Sequence, residues 1–596
     1  MSAAMLARGL CRFLAYTPPV RRRASPTAAL SVSRSLATPT TAAAAAPGVL
    51  RSPYPDVDIP DVPFYEYAWM HLDRYPDRVA MECAVTGRRY TYSQLRTASR
   101  RFAAALQKAG LGPGHVLFVL LPNCPEFLAI ILGANEAGVS IATCNPAYTT
   151  GEMSRQLRDC RPSAAVTTPE LAPSLSSAFQ EARLEPPQLL VTVGVAYSST
   201  QPTSGATPEG AADFGQLVGD ASLDGALRPQ RTGADHLFLL PYSSGTTGLP
   251  KGVMLSNRNL VANVQQTAYP RVQVLDVDAS GVCEPGNVVP VVLPMYHLYA
   301  LALIMLQKVC AGATMVCMPK FEPALFLDVL AKHKATLLYL VPPMVLFLAG
   351  HPSVKKSHLE TVRRAISSAA PVGEKDIARF FERAPANLKF FQTYGMTETS
   401  PTTILPDRDV ESYTTVGKPV PNTLIKVVSI DTSEVLGPNQ PGEIVVKGPQ
   451  VMLGYYNNPK ATAETIRGDG WIHTGDIGYY DTDSNFFIVD RLKELIKVKG
   501  FSVAPAELEE ILRSHPSIEE AAVVGVRHDR FGEAPKAFVV PKQGAQGSLR
   551  PEDVLQFVDG KVAEYKRLAG GVQFVDAIPK NPSGKLLRRV LRQQAQ

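Results

Sequence analysis

An apolar run that leads straight into a glycine- and hydroxyl-rich turn constrains this chain more than any other stretch. Leu237 to Leu240 is followed almost at once by Tyr242-Ser243-Ser244-Gly245-Thr246-Thr247-Gly248-Leu249-Pro250-Lys251-Gly252-Val253. The run predicts a buried strand. The turn suits a polyphosphate: glycines let backbone N–H groups approach an anion, Ser and Thr donate hydrogen bonds, and Lys251 adds a point charge. It is not a G-x-x-x-x-G-K-[ST] loop, because Gly252 follows Lys251. On its own the stretch also fits a flexible Gly/Ser turn, so its meaning depends on what surrounds it.

What surrounds it alternates strand and helix. Ser93 reads as an N-cap, with apolar Leu95, Ala98, Phe102 and Ala105 behind it and Gly110 as the stop. Val116 to Leu121 predicts a strand and Pro125 to Gly138 a helix. That order predicts an α/β fold with parallel sheets covered by helices. Residues 196–234, dense in Gly, Pro, Ser and Thr, read as a surface loop. Ala300 to Met318 is interrupted by Gln307 and Lys308, and Thr336 to Gly350 is short and carries Pro342-Pro343. Both predict core elements and not membrane spans. The last hundred residues predict a small α+β unit. Its helix opens at Pro505 and runs through Arg513, strands follow at Ala521 to Val526 and Ala537 to Val540, then a helix at Glu552 to Glu564 and a strand at Val572 to Val575. The charged connector Asp490-Arg491-Leu492-Lys493-Glu494 precedes it. The expected organisation is a leader or disordered segment at 1–55, a large domain at 56–489, a hinge at 490–493 and a small mobile domain at 494–596.

Charge separates the leader from the body. Residues 1–55 hold seven arginines and no Lys, Asp or Glu, while the whole chain carries a formal +6. The body is therefore near neutral, and nothing in it asks for nucleic acid or an acidic membrane. The Arg-, Ala- and Ser-rich, acid-free start predicts a mitochondrial transit peptide and a matrix location; a disordered tail without an address is the alternative. The eight cysteines form no C-x-x-C pair and no cluster with histidine. They read as thiols of a reducing compartment, and no zinc site is expected.

Four further stretches join the opening turn: Tyr394-Gly395-Met396-Thr397-Glu398, Thr474-Gly475-Asp476, Asp490 to Gly500, and Asn581-Pro582-Ser583-Gly584-Lys585. In this order and spacing they resemble the adenylate-forming superfamily of acyl-CoA synthetases, luciferases and carrier-loading adenylation domains. Leu293-Pro294-Met295-Tyr296-His297-Leu298-Tyr299 and Asp490 to Glu507 are especially similar to the 4-coumarate–CoA ligase and beetle-luciferase branch. The resemblance runs from about residue 60 to 592.

It implies an ATP-dependent acid–CoA ligase using ATP, Mg²⁺ and coenzyme A on a carboxylic acid of fatty or aryl type. A carboxylate attacks the α-phosphate, pyrophosphate leaves, and CoA then displaces AMP. By that likeness Ser243, Ser244, Gly245, Thr246, Thr247, Gly248 and Lys251 grip the phosphates, and Glu398, beside Thr397, offers an oxygen to Mg²⁺. Tyr394 and Gly395 face the adenine with Ala369, Ala370, Gln392 and Thr393, while Asp476 and Arg491 bind the ribose. Lys585 acts at the α-phosphate. Lys493 is the hinge, and Lys497, Lys499 and Gly500 form the face that meets the pantetheine arm. His297 gates the thiol, and His297, Tyr299 and Thr393 line the acyl pocket. Thr393 stands where those ligases typically carry Gly, which narrows or reshapes the pocket; Ser502 stands where they usually carry Gln. Two competing readings remain: an enzyme that loads a carrier protein, and a non-catalytic binding protein of the same fold. The second predicts loss of Lys585, Asp476, Arg491 or Glu398, and all four are present.

Overall fold

The computed structural model describes residues 48–195, 206–228, 230, 232–243, 250–409, 413–468, 470–498, 501–528, 530–581 and 584–595. Three sheets with parallel strands carry the large domain. In the first, Ser140–Thr143, Val116–Val119, Ala164–Thr167 and Leu189–Thr192 run parallel, and Leu237–Leu239 extends them. Lys251–Ser256 then pairs antiparallel with Leu237–Leu239, so the chain reverses between the two. The second sheet joins Val288–Val291, Thr314–Cys317 and Val79–Cys83 in parallel. The third joins Leu337–Leu340, Arg364–Ser367 and Lys389–Gln392.

Local sequence explains the elements between the strands. Tyr92–Lys108 starts on a capping box in which Thr91 accepts from the Gln94 N–H, two residues before the expected cap at Ser93. Glu126–Glu136 is apolar nearly all round and buried along its whole length, as a helix sandwiched between layers must be. The apolar stretch from residue 300 splits into a π-wound helix at Tyr299–Leu306, a short α-helix at Gln307–Ala311 and the Thr314–Cys317 strand. No helix among the described residues is long and apolar enough to cross a membrane.

An antiparallel sheet completes the large domain: Val49–Arg51, Leu424–Val428, Gly442–Lys447 and Trp471–Tyr480 in order, with Phe486–Arg491 also paired to Trp471–Tyr480. The small domain has its own sheet and a separate core of Ile496, Val503, Leu508, Leu512, Val523, Val539, Val554 and Val558. Its helices are Pro505–Arg513, Pro551–Asp559 and Arg588–Gln594.

Four sequence expectations are corrected. The folded body does not start at 56: Val49–Arg51 is an edge strand and Tyr54 is buried. Within 196–234, residues 206–228 are not all loop, since Phe214–Gly219 is a helix with Phe214 fully buried against Phe102. The helix expected to reach Glu564 ends at Asp559, with Gly560 as its cap. Asp490 and Arg491, expected in the hinge, instead finish the Phe486–Arg491 strand.

Candidate active site

Carboxyl ends of parallel strands converge on one region, which is where open α/β sheets bind ligands. Ser367 leads into Ser368, Ala369 and Ala370; Gln392 leads into Thr393 and Tyr394; and Val291 leads towards His297. Ala369 sits at φ +76°, a left-handed conformation that costs a side-chain-bearing residue about 1–2 kcal/mol. The turn is held there by several bonds. Ser368 Oγ donates to Thr393 O at 3.1 Å, and Gln392 Oε1 accepts from Val372 N at 2.9 Å. Gln392 Nε2 donates to Tyr413 O at 2.7 Å. Gln392 thus clamps the turn onto its strand. Thr393 Oγ1 donates to Ile404 O at 2.8 Å, which fixes the rotamer and so the direction of its methyl group.

Tyr394 is buried, and its hydroxyl donates to Asp476 Oδ2 at 2.7 Å. Asp476 and Arg491 are cross-strand partners, with Arg491 Nε 3.3 Å from Asp476 Oδ1. Gly395 has no alternative, because a Cβ there would lie 1.9 Å from Pro401 O. The turn before Asp476 is anchored by Glu443, whose Oε1 accepts from Gly475 N at 3.0 Å while its Oε2 meets His473 Nδ1 at 2.8 Å.

The opening motif forms a hairpin. Tyr242 pairs with Gly252 and Ser243 with Lys251; Ser244, Gly245, Thr246, Thr247 and Gly248 lie outside the described residues. Ser243 Oγ donates to Glu398 Oε1 at 2.7 Å, and the Tyr455 hydroxyl donates to the same oxygen at 2.9 Å. Lys251 Nζ lies 4.8 Å from the Tyr455 ring centroid. Among the described residues the second Glu398 oxygen has no partner, and no cluster of three acidic, His or Cys side chains makes a ready metal cage. One buried carboxylate whose described contacts occupy a single oxygen fits a divalent cation shared with a triphosphate. Thr397 is half-buried, in the turn with Glu398.

Lys585 joins this group from the small domain. Gly584, at φ +80°, packs so tightly on the large domain that a Cβ would lie 3.1 Å from Val341 Cγ2. Asn581 Oδ1 accepts from Lys585 N at 2.8 Å, and Arg588 fastens the segment to Glu509 at 2.8 Å. Burial and then the neighbouring Arg491 lower the Lys585 ammonium to about 8, against the pull of Asp476 and Glu398. Burial and then Lys585 hold His297 at about 4, so its ring is neutral. Its Nδ1 accepts from Tyr299 N at 3.3 Å, and the Tyr299 hydroxyl donates to Leu340 O at 3.3 Å and Ile366 O at 3.4 Å.

The structure therefore brings together Ser243, Lys251, Tyr394, Glu398, Asp476, Arg491, His297 and Lys585. Lys493 is exposed; partial burial and then the Lys251 ammonium lower it. It does not bring in Lys497, which is exposed and donates from Nζ to Ser502 Oγ at 2.7 Å. Lys499 and Gly500 lie outside the described residues. Sequence reasoning missed Tyr455, Glu443 and His473. Only the Asn458-Pro459 cap and helix start beside Tyr455 carried a readable signal.

A group of hydroxyls, acids and bases shared between a large α/β domain and a small α+β domain defines a two-domain enzyme of the adenylate-forming class. Residues 68–456 match the AMP-binding enzyme family and residues 507–585 the AMP-binding enzyme C-terminal domain. 4-Coumarate–CoA ligase 2 of Oryza sativa subsp. japonica is 40% identical over 552 residues, covering 91% of this chain and 94% of that protein. 4-Coumarate–CoA ligase 3 of Arabidopsis thaliana is 38% identical over 552 residues, 92% and 94% of the two chains. ATP-bound MatB from Rhodopseudomonas palustris matches with a TM-score of 0.78 at 28% identity, over 90% of this chain and 99% of that one. The chain belongs to the AMP-binding enzyme family of adenylate-forming acid–CoA ligases.

Proposed function

We infer that this chain converts a monocarboxylic acid to its CoA thioester in two steps. The carboxylate attacks the α-phosphate of ATP, forming acyl-AMP and releasing pyrophosphate. The CoA thiolate then attacks the acyl carbonyl and AMP leaves. The observation that carries the reading is the arrival of Lys585, from the small domain, within range of Arg491, Asp476, Glu398 and His297. A cation there stabilises negative charge as pyrophosphate departs. Ser243 and Lys251 hold the phosphates and Asp476 with Arg491 holds the ribose. The neutral His297 is assigned the role of gating the incoming thiol. Glu398 would hold Mg²⁺, which neutralises charge on the phosphates when bound.

The second step needs Lys585 withdrawn and the Lys497 face brought in, a rotation about residues near Lys493. The acid is of fatty or aryl type, and the fixed Thr393 methyl favours the slimmer members of either class. The arginine-rich start supports a mitochondrial address. The deciding assay on the full chain is ATP–pyrophosphate exchange across short, medium and long fatty acids and cinnamic and benzoic acids, followed by CoA-dependent AMP release. Exchange without CoA turnover would replace this reading with carrier loading; no exchange with any acid would replace it with a binding protein. A fluorescent fusion to residues 1–47 that stays in the cytosol would refute the address.

A further inference from the structure

Residues 452–456 touch both halves of the phosphate site at once. Met452 N donates to the backbone oxygen of Glu398 at 2.9 Å, while Leu453 N donates to Met254 O at 2.9 Å and Tyr456 N to Gly252 O at 2.8 Å. The segment is therefore stitched to the Lys251–Ser256 strand and to Glu398 together. Its shape is fixed from behind. Gly454 sits at φ +146° with a would-be Cβ 2.8 Å from Thr462 Cγ2, and Tyr455 N donates to Thr462 Oγ1 at 2.8 Å. Tyr455 is the one side chain of this segment placed between the two charged groups. Its hydroxyl bonds the Glu398 carboxylate and its ring faces the Lys251 ammonium.

We propose that Tyr455 is a positioning residue for the adenylation step, setting the Glu398 carboxylate through its hydroxyl and the Lys251 ammonium through its ring face. The inference rests on the ligase reading above. Two consequences follow from the geometry. Glu398 Oε1 is held by Ser243 and Tyr455, so Oε2 is the oxygen that would be offered to a cation. Lys251 is steered by a quadrupole and, among the described residues, is paired with no carboxylate, so its charge stays available for phosphate.

Two variants separate the contacts: Tyr455→Phe keeps the ring and loses the hydroxyl, and Tyr455→Leu loses both. The measurements are ATP–pyrophosphate exchange and calorimetric ATP binding to the full chain, with and without magnesium. Tyr455→Phe is expected to lower kcat for exchange about tenfold and to shrink the gain in ATP affinity that magnesium gives, while metal-free ATP binding changes less than about twofold. Tyr455→Leu is expected to weaken metal-free ATP binding about fivefold more. In a Glu398→Gln background, Tyr455→Phe is expected to cost nothing further. Equal effects of both substitutions on metal-free binding, or a full loss from Tyr455→Phe when Glu398 is already replaced, would overturn the proposal. If Tyr455→Leu fails to fold, the Tyr455→Phe and Glu398→Gln cycle still decides it. Wild-type protein that exchanges with no acid would count against the ligase reading alone, because ATP calorimetry judges Tyr455 independently.

Discussion

If Lys585 acts at the α-phosphate as proposed, its lowered ammonium makes adenylation pH-dependent in a range where an ordinary lysine is silent. Lysine normally titrates near 10.5; here burial, with Arg491 beside it, brings the value to about 8. At that value roughly nine-tenths of the enzyme carries the charge at pH 7 and about one-tenth at pH 9. If the ammonium must be charged to meet the departing pyrophosphate, kcat/KM for ATP–pyrophosphate exchange falls about tenfold per pH unit above pH 8. The sign follows from the depressed value: the active, protonated form is lost early as pH rises. CoA is absent from the exchange assay, so its thiol does not contribute. Bound triphosphate opposes the loss, so the limb in kcat lies at higher pH than the limb in kcat/KM. Lys585→Arg keeps the charge past pH 12, so its profile is expected to be flat from pH 7 to 10 at a reduced level. Lys585→Ala is expected to cripple exchange yet still turn over a supplied acyl-adenylate with CoA. A wild-type kcat/KM profile flat to pH 10, or the same limb in Lys585→Arg, would refute the reasoning.

Other outcomes follow from the same geometry. Gly395→Ala, which places a Cβ against Pro401 O, is expected to lower exchange at least about a hundredfold, since the Tyr394 strand must shift; kinetics on the folded variant check it. Thr393→Gly removes the fixed methyl and is expected to widen acceptance towards bulkier acids; an unchanged preference across the acid panel would mean that residue 393 does not line the pocket. Glu443→Ala frees the Gly475 amide and is expected to raise KM for ATP several-fold with kcat little changed, as measured in steady-state exchange. Because His297 is neutral down to about pH 4, the thioester step is expected to show no limb near pH 6.5, which a pre-formed acyl-adenylate assay checks.

Much of this was legible in the sequence where chemistry and local pattern coincide. Pro505–Arg513 matches its expectation, because Pro at the first turn, acids behind it and apolar Leu508 and Leu512 all agree. The five motifs announce themselves by residue type, and the fold gathers most of them. Tyr455, Glu443 and His473 were not legible because their roles come from pairings between distant strands. A tyrosine or a carboxylate in a strand looks the same in sequence whether or not a functional group lies opposite. Val49–Arg51 was hidden for a related reason: three residues carry no period, and the preceding arginine-rich run sets the local composition. Thr393 was readable as an unusual residue, but only the structure shows that Ile404 O fixes its rotamer.

The Val49–Arg51 strand also sets an order of assembly. Val49 lies opposite Lys426 and Arg51 opposite Leu424, so the first described strand waits for a partner made hundreds of residues later. Closing so long a loop is entropically unfavourable, and pairings of high sequence separation form late. The edge that docks last is also the edge that opens first, by sub-global fluctuation, and backbone amides at 49–51 should exchange with solvent well before those at 471–480. Leu424–Val428 and Gly442–Lys447 stand between that edge and the strand bearing Asp476. The sheet can therefore fray at its rim while the Asp476 carboxylate keeps its place.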